Sequence, residues 1–333
     1  MTIQWEPMRP ILAAHQRFVI SSHVRPDADA IGSEIGLARV LQALGKNVQI
    51  INHSPTPPNL LFLDPQRDVK QLGVSATAAD VAAAEVHFIV DTSSWIQLNE
   101  VGKAMRNSSA LRVVIDHHVS SDDLGATNFK DTECEATGSL IFDLSQFLGI
   151  DLLADAATAL FAAIATDTGW FRFSAVTSQT MRRIARLMEY GASPADVFRE
   201  LYEQSTLARM HLVGRALSRM ILDCDGDLAY VSIPWSDFEE IGAVSSDTED
   251  LVNECLKITG TKGAFIAIEM QSRQVKVSFR SRVEGLDVAK IAERFGGGGH
   301  RQAAGATLPG PLAESIETAR KAMAETIVAL RTA

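Results

Sequence analysis

The stretch RFVISSHVRPDADAIGS, residues 17–33, decides the fold. Arg17 to Ser22 is a short run rich in β-branched and aromatic residues, the composition of a buried strand. A polar turn follows, and then a helical pattern. Ile31, Ile35, Val40, Leu41 and Leu44 recur near 3.6-residue spacing, and Gly45 stands where a helix C-terminus is capped. Strand, polar loop and helix together open a βα unit. In such a unit His23, Asp27 and Asp29 lie at the carboxyl end of the strand, where open α/β sheets bind ligands.

Outward from this unit the same alternation recurs. Residues 48–51, 86–90 and 112–115 read as further short strands, and 135–148, 155–165 and 178–190 as helices. This predicts an α/β fold whose N-terminal, mostly parallel sheet has helices on both faces. The texture changes at Gly191. A turn at 191–194 leads into helical segments that run to Met220. A hairpin is then expected, from 221–224 through an Asp225-Gly226 turn to 228–233. Strands at 264–270 and 275–280, a helix at 287–295, the run Gly296–Gly299 and a helix after Pro311 complete the chain. The expected division is a catalytic domain at 1–190, a helical linker at 191–215 and a smaller C-terminal α/β substrate-binding domain at 216–333. A length of 333 residues suits two domains.

Composition removes several classes. With 46% hydrophobic and 22% charged residues, the chain is neither disordered nor a disulfide-stapled miniature. Its 41 acidic and 31 basic residues give a net charge of −10, which argues against long duplex nucleic acid held over many phosphates. A short anion held in one local basic pocket remains compatible. Cys134, Cys224 and Cys255 are odd in number and far apart, so they form no disulfide framework and no zinc knuckle. The first ten residues lack an apolar signal core, and the apolar stretch 152–170 is broken by Asp155 and Asp167. A cytoplasmic protein with no membrane association is expected, and a homodimer is compatible with the sequence. Walker A, HExxH and G-x-S-x-G patterns are all absent from the sequence.

Four acid/histidine clusters concentrate the chemistry. His23, Asp27 and Asp29 follow the first strand, Asp91 closes another, Asp116, His117 and His118 close a third, and Asp167 ends a helix. Singly, each has a plain structural explanation; Asp27 or Asp29, for example, suits a helix N-cap. Jointly they gather carboxylates and imidazoles on one rim with few cations beside them. Such a group repels itself unless divalent cations neutralise it. Mixed imidazole and carboxylate without thiolate favours manganese, magnesium or cobalt over structural zinc. The carboxylates suffice for two ions with one bridging, an arrangement suited to phosphoryl chemistry. In the C-terminal part, the four glycines are expected to present backbone N–H groups to an anion. His300 and Arg301 beside them, with Arg280-Ser281-Arg282 near by, complete a local basic patch.

HVRPDADAIGS, IVDTSS, VVIDHH and DTGWFRF resemble the four ordered motifs of the DHH phosphoesterases, and SFRSR with FGGGGHRQAAG resembles their associated C-terminal domain. The glycine-rich end is most similar to the NrnA-type nanoRNases. Ala28 stands where many relatives carry glycine. The resemblance implies one metal on His23, Asp27 and Asp91, and a second on Asp29, Asp91, His117 and Asp167. It implies Asp116 as a partner orienting an imidazole, and His118 against a substrate phosphate. Arg280, Ser281, Gly297, Gly298, Gly299 and His300 would hold the substrate. The implied cofactors are two divalent ions, manganese first. The implied activity is hydrolysis of very short single-stranded RNA and dephosphorylation of pAp (adenosine 3′,5′-bisphosphate). A stand-alone phosphodiesterase for c-di-AMP or its linear product pApA is the alternative.

Overall fold

The computed structural model describes residues 3–332, and the chain separates after Gln204 into two units. In the first, the apolar runs form six strands: β1 Arg17–Ser21, β2 Asn47–Asn52, β3 Val69–Gln71, β4 Val86–Val90, β5 Leu111–Asp116 and β6 Thr127–Lys130. They pair in parallel in the order β3-β2-β1-β4-β5-β6. The chain winds away from β1 in one direction and from β4 in the other, so the topological switch point lies between these two strands.

Helices cover both faces, as expected. α1 Met8–Ala14, α2 Ala28–Ala43, α5 Thr137–Leu148 and α6 Ala154–Asp167 pack on the face that carries Phe18, Ile20, Phe88 and Ile115. α3 Ala78–Ala82 and α4 Trp95–Arg106 pack on the opposite face, against Val19, Ile89 and Val114. α7 Ser178–Glu189 and α8 Pro194–Tyr202 complete the unit. Gly32 sets the α2–α6 approach, because a Cβ there would lie 2.3 Å from the Ala159 carbonyl oxygen. That closeness holds the start of α2 against the end of α6, and so brings Asp29 near Asp167.

The second unit contains α9 Leu207–Ser218, β7 Ile221–Asp223, β8 Leu228–Ile233, α10 Trp235–Ile241, α11 Leu251–Cys255 and β9 Gly263–Glu269. β10 Val275–Ser281, α12 Val288–Glu293, β11 Gly298–His300, β12 Ala303–Leu308 and α13 Leu312–Thr332 follow. Its sheet order is β11-β12-β10-β9-β8-β7, parallel only between β8 and β9. α12 and α13 pack against one face, and α9, α10 and α11 against the β8–β9 part of the other.

The division after Gln204 falls within residues 191–215, with α8 in the first unit and α9 in the second. Two sequence expectations change. The β7–β8 hairpin forms, but Asp223 and Leu228 are its last pair, so the connection is four residues rather than two. The glycine run does not remain a loop. Gly298 and Gly299 enter β11 as the edge of the second sheet. No helix among the described residues is long and apolar enough to cross a membrane.

Candidate metal centre

His23 follows β1, and Asp91 follows β4 in left-handed backbone with φ 59°. The two residues therefore flank the switch point. Asp116 ends β5, with His117 and His118 directly after it, and Asp167 ends α6. Asp27 is the N-cap of α2, its Oδ1 accepting from the Asp29 and Ala30 amides at 3.0 Å each. The helix-cap role and proximity to His23 thus coexist in one side chain.

The rim gathers these groups into three sets. His23, Asp27 and Asp91 form the first, Asp29, His117 and Asp167 the second, and Asp91, His117 and His118 a third that joins them, with ligand-type atoms inside each set within 4.8 Å of one another. His23 Nε2 lies 3.8 Å from Asp27 and 3.4 Å from Asp91 Oδ2. His117 Nε2 lies 3.8 Å from Asp29, 3.5 Å from Asp167 and 3.6 Å from Asp91 Oδ1. Asp91 therefore turns one oxygen to His23 and the other to His117 and, at 3.7 Å, to His118 Nδ1. His118 is held differently: its Nδ1 contacts Asp116 Oδ1 at 2.8 Å, and its amide donates to that same oxygen at 3.1 Å.

A second layer of contacts, which the sequence reading missed, aims these groups. Thr137 and Gly138 at the start of α5 donate backbone N–H bonds to Asp29 at 2.7 and 2.8 Å, and the Thr137 hydroxyl donates to Asp91 Oδ1 at 2.9 Å. The Cys134 carbonyl lies 3.2 Å from His117 Nδ1 and turns Nε2 toward the carboxylates. Ser93 donates to Asp116 Oδ2, and Lys130 from β6 pairs with that oxygen at 3.2 Å. Asn52 accepts from the Ser22 amide and donates to buried Glu34, which steadies the end of β1 beside His23. Thr137 carries no cap signature, since the cap position of α5 is Ala136. The roles of Lys130 and Asn52 depend on strand register and leave no local signal.

Electrostatics record a surplus of negative charge. Burial, with the charges of Asp91, Asp167 and Asp27, pushes the Asp29 carboxyl well above its ordinary range. Burial likewise carries Asp167 up to about 6, with His117 opposing and Asp91 and Asp27 adding to the rise. Against its own burial, His23 is held up at about 11 by Asp27 and Asp91. Asp116 stays at about 2 despite burial, because His118 and Ser93 donate to it. A set of imidazole and carboxylate donors crowded enough to raise its own acids fits divalent cations, and it offers them no thiolate.

In the second unit, Arg280, Ala303 and His300 are cross-strand partners on β10, β12 and β11. Directly paired residues share a face, so Arg280 and His300 flank Ala303 in one row. His300 is exposed and Arg280 half-buried. Ser281 is buried, its hydroxyl spent on the Val283 backbone. The expected four-glycine anion cradle does not form. Gly296 and Gly297 donate their N–H groups to Glu293 and Ala292, closing α12 as a helix C-cap. A Cβ on Gly297 would lie 2.1 Å from the Gly305 carbonyl oxygen, so close strand packing requires glycine there. Gly298 and Gly299 pair with Gly305 and Ala304.

Sequence comparison shows the family. The DHH family N-terminal domain matches residues 17–164, and the DHHA1 domain matches residues 228–329. The chain belongs to the DHH family. It is 32% identical over 317 residues to a Thermus thermophilus protein named bifunctional oligoribonuclease and PAP phosphatase NrnA, covering 92% of this chain and 90% of that one. The Bacillus subtilis protein of the same name is 27% identical over 300 residues, covering 89% and 91%. Among solved structures, an exopolyphosphatase-related protein from Bacteroides fragilis superposes with a TM-score of 0.86 at 24% identity, covering 99% of both chains. Exonuclease RecJ bound to manganese gives 0.53 at 15% identity, covering 98% of this chain and 95% of that one. These two structures share its fold.

Proposed function

We propose that this protein is a two-metal phosphoesterase that hydrolyses very short oligoribonucleotides to mononucleotides and dephosphorylates pAp to AMP. The observation that carries the reading is Asp91 at the switch point, one carboxylate oxygen facing His23 and the other His117. His23, Asp27 and Asp91 would hold one ion, and Asp29, Asp91, His117 and Asp167 the other. Manganese suits this donor set, with magnesium or cobalt as substitutes. Bound there, divalent ions supply a hydroxide at neutral pH and polarise the phosphoryl group.

The chain's own residues do the rest. Asp116 fixes the His118 ring through Nδ1, which leaves Nε2 to donate to a phosphate oxygen. Arg280 and His300, in one row on the second sheet, hold the substrate's remaining phosphate or ribose. We assign chemistry to the first unit and substrate holding to the second. This division is supported by the DHH and DHHA1 matches. The names of the NrnA relatives support the substrate pair. Three free cysteines suit a reducing, cytoplasmic setting.

A substrate panel tests the reading. With manganese, kcat/KM for pAp and for RNA of two to four nucleotides should exceed that for a twenty-nucleotide RNA and for c-di-AMP. Preference for c-di-AMP over both would replace this reading with that of a cyclic-dinucleotide phosphodiesterase.

A further inference from the structure

The segment Cys134–Gly138 carries four contacts to the rim: its Cys134 carbonyl on His117, the Thr137 and Gly138 amides on Asp29, and the Thr137 hydroxyl on Asp91 Oδ1. All four serve the Asp29–His117–Asp167 set or the Asp91 oxygen that faces it. Nothing at the cap position fixes this segment, because Ala136 there offers no side-chain acceptor. An anchor comes instead from α7. Arg183 is 8% exposed, and Glu135 and Asp143 are 5% and 6% exposed. The guanidinium donates to both Asp143 oxygens at 3.0 and 2.6 Å, and its remaining terminal nitrogen donates to both Glu135 oxygens at 3.3 and 3.4 Å. The Asp143 arm ties α7 to the middle of α5. The Glu135 arm reaches the segment itself.

A buried ion triad is a weak source of net stability, because desolvation offsets much of the Coulomb attraction. Its directional bonds nevertheless help to fix where Glu135 sits, together with the Ser139 hydroxyl, which donates to Glu135 Oε1 at 2.7 Å. We propose that Arg183 is a positioning residue for one half of the metal centre, acting through Glu135 on the Cys134–Gly138 segment and hence on Asp29 and His117. This rests on the two-ion reading above. It requires an asymmetric consequence: loosening Glu135 weakens the ion held by Asp29, His117 and Asp167 and spares the one held by His23 and Asp27.

The test is calorimetric titration of the metal-free protein with Mn(II), with thermal melting alongside. Glu135→Gln and Asp143→Asn each weaken one arm of the same fork, removing its charge and one of its two acceptor oxygens while keeping side-chain shape. Wild type is expected to bind two Mn(II). Glu135→Gln should weaken one site by about 10- to 100-fold, the usual cost of losing a contact behind a metal ligand, and leave the other unchanged. Asp143→Asn should lower Tm by a similar amount yet leave both affinities unchanged. Arg183→Lys, which keeps the charge but not the fork, should fall between wild type and Glu135→Gln. In the metal-free state, hydrogen exchange at the Thr137 and Gly138 amides should quicken in Glu135→Gln and not in Asp143→Asn. Equal weakening of both sites, or unchanged affinities in Glu135→Gln, would show that the triad only supports the fold and would overturn the proposal. Fewer than two Mn(II) in wild type would instead overturn the two-ion reading, and this proposal with it.

Discussion

The proposed metal rim of the parallel sheet has a buried floor of three carboxylates beneath more open groups such as Asp27 and His118, whereas the proposed substrate row of the mixed sheet stands within strands and is open. Asp29, Asp91 and Asp116 are 1%, 2% and 0% exposed, and each is held by hydrogen bonds from the chain around it. Gly298, Gly299 and His300 are exposed, and β11 is an edge strand. The contrast fits the two tasks proposed for these rows. Holding cations needs a rigid set of donors assembled before the ion arrives. Holding a short, variable anion needs reachable cationic side chains and little else.

The sharpest way to break this contrast is at Asp91. Asp91→Ala removes the carboxylate that faces both His23 and His117, and kcat should fall at least ~10³-fold, the scale of lost transition-state charge stabilisation. Turnover and bound manganese, measured together, check this. Near-normal turnover with metal bound would remove Asp91 from the chemistry.

A smaller effect is expected from the open row. Arg280→Lys and His300→Ala should keep wild-type manganese content and lose roughly 10- to 1000-fold in kcat/KM on pAp and dinucleotides. The loss should be less on bis-p-nitrophenyl phosphate, which offers no second phosphate or base to hold. Equal losses on both substrates, or lost metal, would erase the distinction between the two sheets.

The smallest effect concerns stability alone. His87 lies within β4 at 0% exposure, between Val19 and Arg112, and neither ring nitrogen has a hydrogen-bond partner among the described residues. Burial, with the charge of Arg112, lowers its pKa from 6.5 to about 4. The folded state keeps this imidazole neutral while the unfolded chain protonates it. Its contribution is therefore intact above pH 6.5 and drains away as pH falls toward 4, by about 3 kcal/mol in all. His87→Leu should flatten the unfolding free energy across that window relative to wild type. An unchanged slope would mean that this histidine is not held neutral. The mixed sheet has no buried histidine in its strands, so its own stability should lack this slope.

The alternation of strands and helices was legible because buried strands such as Val86–Val90 are continuous apolar runs. β3 and β6 escaped notice: they are short edge strands, rich in polar residues such as Lys70, Gln71, Asn128 and Lys130. β11 and β12 escaped for another reason. Glycine and alanine have little intrinsic preference for strands, and here they are strands because close pairing excludes larger residues. The rim residues were legible as motifs, since their side chains carry the chemistry. Thr137, Gly138 and Lys130 were not, because backbone amides and cross-strand register do that work. The expected glycine cradle failed because its first two amides were already committed to capping α12.

In the proposed reading, hydrolysis depends on two ions held at the rim. The most direct measurement is AMP release from pAp as the metal-free protein is titrated with Mn(II), each point paired with bound metal. The expected result is no turnover without metal, full turnover only as the second equivalent binds, and no comparable recovery with calcium, whose larger coordination shell suits this set poorly. Full turnover in excess chelator, after dialysis has removed all bound metal, would contradict it.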